Sequence, residues 1–220
     1  MPKLDDRLKA VAKLIRSPTH ADIGSDHGHL LKALLQSGRI DQGIAIENKT
    51  GPLNNSRKTL AGLNAEVRLA DGLTGLQPGE ADSLSLCGMG GELIVKILQA
   101  HPDRVPDDIV IQANRRPESV RRWAQIAGFH LVDETFVVGR NQFTIMRFHR
   151  NASGADPAYQ CVQCDAGERF GPILIRRWQP HFVDALLREH QYLMHLAGRT
   201  QETQHRFEVL SRLLTDKLGR

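Results

Sequence analysis

The chain has 220 residues, 40% of them hydrophobic and 25% charged, with a formal net charge of +4. That length fits one medium domain with a small appendage, and the composition is that of an ordinary globular protein rather than a disordered or fibrous one. No apolar run approaches the roughly 18–20 residues of a membrane span, the N-terminus (Met1–Asp6) has no signal-peptide core, and three cysteines argue against a disulfide framework. A cytoplasmic protein is expected, and its mild basicity is compatible with a polyanionic partner without specifying one.

Apolar residues at 4, 8, 11, 12 and 15 predict an N-terminal helix with one buried face, and acidic Asp5 and Asp6 suit its first turn. Ser17-Pro18-Thr19 breaks it. A strand follows to Gly24, then a glycine turn to Gly28, then a helix marked by Leu30, Leu31, Leu34 and Leu35. Gln42–Glu47 reads as a second strand and Thr50–Ala61 as a helix. Ala65–Leu69 reads as a third strand ending at Asp71-Gly72, and Ser83–Cys87 as a fourth running into Gly88-Met89-Gly90-Gly91. Leu93, Ile94, Ile97 and Leu98 mark the next helix. Asp107–Gln112 is a fifth strand, and Pro117 at a first helical position opens a helix to Ala127. Phe129–Val138 and Gln142–Phe148 alternate and are joined by Gly139-Arg140-Asn141, which predicts a hairpin.

Residues 1–150 therefore read as an N-terminal helix (1–16), five strand–helix units and an antiparallel pair. This implies a mainly parallel α/β sheet covered on both faces, with its ligand site at the C-terminal strand ends. Residues 151–169 are expected to be a linker. Phe182, Leu186, Leu187, Leu193 and Leu196, and then Phe207, Leu210, Leu213, Leu214 and Leu218, predict a helical hairpin within residues 170–220.

The strand–turn–helix around Gly24 and Gly28 suits a nucleotide-like ligand, because free N–H groups and the helix dipole converge there. Glu47 lies 23 residues beyond Gly24, where such folds place a carboxylate on ribose hydroxyls; the alternative is a loop acid. Asp26 occupies the middle of the turn, where it either faces the reactive end of the ligand or serves the backbone as an Asx-turn or helix N-cap. Asp71 could accept from an adenine amino group or merely close a turn. The glycines around Met89 fit either a close ligand or a tight turn. Gln112 and Asn114 could read a base edge or bind loop backbone. Arg115, Arg116, Arg121 and Arg122 form either a solvated helix face or a phosphate grip. Cys87 lacks an adjacent base and is expected to be inert. Cys161-x-x-Cys164 is half a zinc pattern without its other half, and no metal is expected.

Taken in order, Asp-Ile-Gly-Ser-Asp-His-Gly (22–28), Gly-Pro-Leu (51–53), Arg-Leu-Ala-Asp-Gly-Leu (68–73), Gly-Met-Gly-Gly-Glu-Leu-Ile (88–94), Gln-x-Asn (112–114) and Phe-Gly-Pro-Ile-Leu (170–174) resemble the bacterial tRNA (adenine-22) N1-methyltransferase family, TrmK. The resemblance spans nearly the whole chain. A generic methyltransferase turn would carry glycine at position 26.

The resemblance implies a class I methyltransferase domain of Rossmann-like fold that uses S-adenosylmethionine, with a C-terminal helical hairpin helping to hold tRNA. It places Asp22, Gly24, Ser25 and Gly28 around the methionine part of the cofactor, Glu47 on the ribose, Asp71 and Gly72 on the adenine, and Gly88 and Met89 over the cofactor. His27, Asn48 and Gly90 complete the expected cofactor set. Asp26 is expected to act on the target base, as base or electrostatic partner, Asn114 to orient that base, and Arg115, Arg116, Arg121 and Arg122 to grip RNA phosphates. A monomer is expected.

Gln112-Ala113-Asn114, Asn141-Gln142-Phe143 and Asn48-Lys49-Thr50 depart from the family pattern, all near the target-base side. The competing readings are a methyltransferase of the same fold acting on another RNA or a small substrate, an NAD-dependent oxidoreductase, and a binding module without catalysis. Against an oxidoreductase stand the terminal antiparallel pair and the lack of a Tyr/Lys or His/Asp catalytic set. Against a binding module stand Glu47, Asp71 and the complete glycine turn.

Overall fold

The computed structural model describes residues 4–139, 141–151, 154–160 and 162–219. Asp5 opens the first helix by accepting a hydrogen bond from the Leu8 N–H at 2.7 Å, a cap of the kind that contributes about 1 kcal/mol. That helix, α1 (Asp6–Leu14), buries Val11, and Ile15 follows it into the core. Both pack with Leu30, Leu31 and Leu34 of α2 (His29–Gln36). Between the two helices runs β1 (Thr19–Ile23), whose last four residues are all buried.

The remaining elements of the first unit are β2 (Gln42–Glu47), α3 (Thr50–Leu60), β3 (Ala65–Leu69), β4 (Ser83–Gly90), α4 (Gly91–Ala100), β5 (Asp108–Arg115), α5 (Pro117–Ile126), β6 (Phe129–Val138) and β7 (Gln142–Arg150). They build one seven-stranded sheet in the order β3-β2-β1-β4-β5-β7-β6. The strands from β3 to β5 are parallel to their neighbours, while β7 runs antiparallel to β5 and β6 antiparallel to β7. Strand order reverses between β1 and β4, so a crevice opens beyond their C-terminal ends.

Two details differ from the periodicity reading. β3 is followed by a single 3-10 turn (Gly72–Gly75) rather than a helix, so four of the five expected strand–helix units are present. β5 continues past Gln112 to Arg115, because parallel pairing with β4 extends to Gly90. The expected hairpin joins β6 to β7, and Arg140 within its turn lies outside the described residues.

The chain divides into Met1–Asp156 and Pro157–Arg220. The second unit begins inside the stretch expected to be linker, with a 3-10 turn (Pro157–Tyr159) and α6 (Cys164–Phe170). Ala166 and Phe170 bury one face of α6, and a seven-residue helix gives too short a period to stand out from its polar neighbours. Next come α7 (Pro172–Arg177), α8 (Pro180–His195) and α9 (Gln201–Leu218). The last two form the expected hairpin through Phe182, Leu186 and Leu193 on one side and Val209, Leu210, Leu213 and Leu214 on the other. Arg199 caps α8 by donating to the Leu193 and Met194 carbonyls, with its guanidinium over the Phe207 ring. Among the described residues no helix is long and apolar enough to cross a membrane.

Candidate functional site

A cavity of about 460 Å³ lies at the switch point, lined by the β1–α2 turn, the end of β4 and the first turn of α1. Asp22, Gly24, Ser25, Asp26 and His27 line it from the turn, Cys87, Gly88 and Met89 from β4, and Asp5, Arg7 and Leu8 from α1. Gly24 has φ +70°, and a Cβ placed on it would lie 2.4 Å from the Met89 methyl carbon. The absent side chain is what lets Met89, from a strand 65 residues away, fold over the turn.

Asp26 adopts the left-handed conformation at φ 57°. For most L-residues this costs roughly 1–2 kcal/mol, and aspartate is among the few non-glycine residues that visit it. The turn is tied down by the Asp26 backbone N–H, which hydrogen-bonds Glu47. The Asp26 carboxylate is thereby exposed at the cavity rim, 3.6 Å from His27 Nε2, and the His27 ring stacks on His29. The helix-cap alternative does not hold: Gly28 caps α2, without a side-chain hydrogen bond.

Asp22 is buried beneath the turn and accepts from Ser85 Oγ at 2.6 Å. Burial pushes its carboxyl above the usual range, opposed by the Ser85 and Ser25 hydroxyls and by the Arg7 charge. Ser25 Oγ, though near Asp22, is buried without a hydrogen bond of ordinary geometry. Glu47 ends β2, buried and not in an exposed loop, with Ser56 Oγ 3.4 Å away. Burial raises its carboxyl too, the Asp26 N–H opposes this, and the nearby Asp22 and Asp26 charges add to it. Asp71 and Asn48 are exposed at the ends of β3 and β2, and Gly72 packs against Ile97 of α4. Burial pushes the Cys87 thiol up, which keeps it from acting as a thiolate.

Gln112 and Asn114 resolve one alternative. The β4–β5 ladder shifts register between Cys87 and Met89, leaving Gly88 bulged out of the pairing. Gln112 Oε1 accepts from the Gly88 N–H at 3.1 Å, and Asn114 Nδ2 donates to the Gly88 carbonyl at 2.6 Å. The two amides are joined to each other at 2.9 Å. Both therefore bind loop backbone, and Asn114 keeps one amide hydrogen and spare acceptor capacity toward a ligand. Gly91 is explained by packing alone, since a Cβ there would lie 2.2 Å from the Arg116 carbonyl oxygen. Gly90, between them, meets nothing within 4 Å that would exclude a side chain.

Arg7 escaped the sequence reading. Its Nη1 donates to Gln112 Oε1 at 2.8 Å, and its guanidinium lies 5.8 Å from the Phe143 ring centre. Besides an ion pair with Asp5 at 3.7 Å, nothing within α1 singles it out, because Gln112 and Phe143 lie more than 100 residues away.

The arginine cluster splits. Arg115, Arg116 and Arg122 are exposed, and Arg116 pairs with Glu92 at 2.7 Å. Arg121 corrects the expectation: its side chain is 1% exposed and its Nη2 lies 2.7 Å from Glu134 Oε1. It faces the sheet because it shares the inward face of α5 with Val120, Trp123 and Ala124, so it cannot grip a phosphate. Among the described residues no group of three or more His, Cys, Asp or Glu side chains could hold a metal. Cys161 of the half zinc pattern lies outside the described residues.

The switch-point cavity, the acid-bearing glycine turn and the antiparallel β6–β7 edge define a class I methyltransferase fold. The profile of the methyltransferase domain family matches residues 4–146, and the chain belongs to that family. Over 224 residues, covering 95% of this chain and 93% of the relative, it is 29% identical to the tRNA (adenine(22)-N(1))-methyltransferase of Bacillus subtilis (strain 168). The crystal structure of the B. subtilis m1A22 tRNA methyltransferase TrmK superposes with a TM-score of 0.87 at 27% identity, covering 97% of this chain and all of that one. Sp1610 of Streptococcus pneumoniae, in complex with S-adenosyl-L-methionine, matches with a TM-score of 0.85 at 26% identity over 96% of this chain and all of that one.

Proposed function

We propose that this chain transfers a methyl group from S-adenosylmethionine to N1 of adenine 22 in tRNA, acting as a monomer in the cytoplasm. The observation that carries this reading is Asp26, a carboxylate held in a left-handed turn position at the mouth of the cavity. Glycine would occupy that position without strain, so the carboxylate itself has a use there. The likeness to a tRNA (adenine(22)-N(1))-methyltransferase along 95% of the chain supports the choice of substrate.

The residues fit the cofactor. Asp22 and Glu47 are buried carboxylates hydrogen-bonded by hydroxyls and a backbone N–H rather than by cations, which suits an ammonium and a ribose diol. The Ser25 hydroxyl is buried with capacity to spare. When bound, S-adenosylmethionine supplies a methyl group made electrophilic by its sulfonium. Asp22, Gly24, Ser25, His27 and Gly28 would surround its methionine end, Glu47 and Asn48 its ribose, Asp71 and Gly72 its adenine, and Gly88, Met89 and Gly90 would close over it.

The protein's remaining tasks are positioning and charge management. Asp26 offsets the positive charge that the adenine ring gains as N1 is alkylated, by facing its amino edge. Asn114 offers its remaining amide hydrogen to orient the base, while Gln112 and Arg7 hold Asn114 and the Gly88 bulge rigid. Extruding the base costs a few kcal/mol, offset by phosphate contacts from Arg115, Arg116 and Arg122.

The test is methyl transfer to an unmodified tRNA transcript, followed by primer extension. N1-methyladenine blocks pairing, so a reverse-transcription stop at position 22 is expected, lost when that adenine is replaced by guanine. Methylation without a stop at position 22 would overturn the substrate assignment in favour of another nucleotide or RNA.

A further inference from the structure

A chain of hydrogen bonds runs through the middle of the sheet beneath the cavity. Ser85 Oγ donates to Asp22 Oδ1 at 2.6 Å. His20 Nε2 lies 2.8 Å from the same Ser85 Oγ, and His20 Nδ1 lies 2.6 Å from Ser83 Oγ. Ser83 Oγ in turn lies 2.6 Å from Ser17 Oγ. The pairing of β1 with β4 sets this up, since His20 is in register with Ser83 and Asp22 with Ser85. His20 and Ser85 are completely buried. A central parallel strand is ordinarily apolar on both faces, and burying polar groups there costs free energy unless each is paired. Here each is paired.

The donors can be ordered from one end. An ionised carboxylate only accepts, so the single Ser85 hydrogen is committed to Asp22. Ser85 must then accept from His20 Nε2–H. A neutral imidazole carries one N–H, so Nδ1 accepts from Ser83, and the Ser17 hydroxyl supplies Ser83 at 2.6 Å in preference to its other acceptor, the Thr19 carbonyl at 3.4 Å. Every donor points toward Asp22. Protonating Asp22 would reverse the chain, its O–H donating to Ser85 and the imidazole hydrogen moving to Nδ1. Burial holds His20 neutral, pushing its pKa down to about 3, so it acts as a hydrogen-bond donor and not as a counter-charge.

We infer that His20 is a positioning residue for the cofactor site: through Ser85 it fixes Asp22 as an ionised acceptor with one lone pair taken and the others left for a ligand ammonium. This rests on the reading of Asp22 as a cofactor carboxylate. The titratable groups near Asp22 are Arg7 from α1, Glu47 from β2 and Cys87 from β4, with Asp26 and His27 of its own turn lining the same cavity. Arg7 favours the Asp22 anion and Glu47 opposes it, and none of these groups bonds to His20.

Two measurements test it. Long-range ¹H–¹⁵N NMR of the ligand-free protein is expected to show His20 as the Nε2–H tautomer at pH 7.5, shifting toward Nδ1–H as Asp22 takes up a proton on acidification. An Nδ1–H or doubly protonated ring at pH 7.5 overturns the proposal. Calorimetric titration with S-adenosylmethionine and S-adenosylhomocysteine between pH 5.5 and 8.5 then compares wild type with His20→Gln, His20→Phe and Ser85→Ala.

Glutamine offers a donor and an acceptor at similar spacing and is expected to bind within about threefold of wild type. His20→Phe and Ser85→Ala should bind about tenfold more weakly at pH 8, and the deficit should grow as pH falls, because Asp22 then protonates at a higher pH. A deficit equal at every pH, or a glutamine variant as weak as the phenylalanine one, would show a merely structural role. Should His20→Phe fail to fold, Ser85→Ala, which removes one oxygen, decides the matter. Asp22→Asn separates the two readings: wild-type affinity in that variant defeats the role of Asp22 itself, whereas lost affinity beside an unshifted pH profile in Ser85→Ala defeats only the relay.

Discussion

Replacing Arg121 by methionine separates a structural arginine from an RNA-binding one. Its guanidinium joins α5 to β6 through Glu134, with Nε at 2.9 Å and Nη2 at 2.7 Å from the same carboxylate oxygen. The two side chains are 1% and 0% exposed. Methionine keeps most of the aliphatic volume but leaves the Glu134 carboxylate buried without its cation. Removing one partner of such a pair typically costs about 3–5 kcal/mol, most of it the penalty of the orphaned charge. For a chain of this length that corresponds to a fall in Tm of roughly 6–20 °C. Adding Glu134→Leu removes the orphan and should recover most of the loss, because a well-packed apolar pair is about as stable as the ion pair it replaces. Urea and thermal unfolding of the single and double variants supply the magnitudes, and tRNA binding across a salt series supplies the control. A wild-type Tm in Arg121→Met, together with weaker tRNA binding and a flatter salt dependence, would refute the burial argument and restore the phosphate role.

Arg115→Ala and Arg122→Ala should each weaken tRNA binding and reduce its log–log salt slope by about 1 while leaving Tm within 2 °C, as expected for exposed phosphate contacts; an unchanged slope removes them from the RNA interface. Asp26→Ala is expected to lower kcat about 10²–10³-fold with the Kd for S-adenosylmethionine within twofold, whereas a parallel rise in Kd would make Asp26 a cofactor ligand instead. Gly91→Ala drives a methyl group against the Arg116 carbonyl and should destabilise the fold by about 1–3 kcal/mol in urea unfolding, with no such loss for Gly90→Ala. Acid sensitivity follows from His20. The unfolded chain binds its proton near pH 6.5 and the native chain only near pH 3, so the unfolded state carries more protons between those values. Stability from this group is whole above about pH 6.5 and is lost as pH falls toward 3. The urea midpoint of His20→Gln should therefore drop less than that of wild type between pH 7 and pH 5; equal drops would show that His20 does not contribute.

Much of this site could be read before any coordinate, because its signals are local. Gly24 and Gly28 bracket a turn, Glu47 ends an apolar run, and Asp26 stands where glycine would be expected; each is a statement about neighbours in sequence. The structure leaves Asp26 exposed at the cavity mouth and buries Glu47 at the end of β2. Local signals misled where two structures share one pattern. Arg115, Arg116, Arg121 and Arg122 look alike as a string, and helical phase alone turns Arg121 inward. A seven-residue helix inside a polar stretch reads as linker because it offers only two turns of periodicity.

The sequence by itself determined the order of strands and helices, the glycine turn, the acids at the strand ends and the resemblance to a methyltransferase family. These follow from the periods of 3.6 and 2 and from the backbone demands of turns, which act over a few residues. Only the tertiary structure decided that Arg7 supports Gln112, that Gln112 and Asn114 hold the Gly88 bulge, and that Arg121 belongs to Glu134. It alone placed His20 behind Asp22, through a register between β1 and β4 that joins residues more than 60 positions apart. The physical reason is the same in each case: a buried polar group must find its partner wherever the sheet brings one, and sheet order is set by packing the whole chain rather than by any stretch of it.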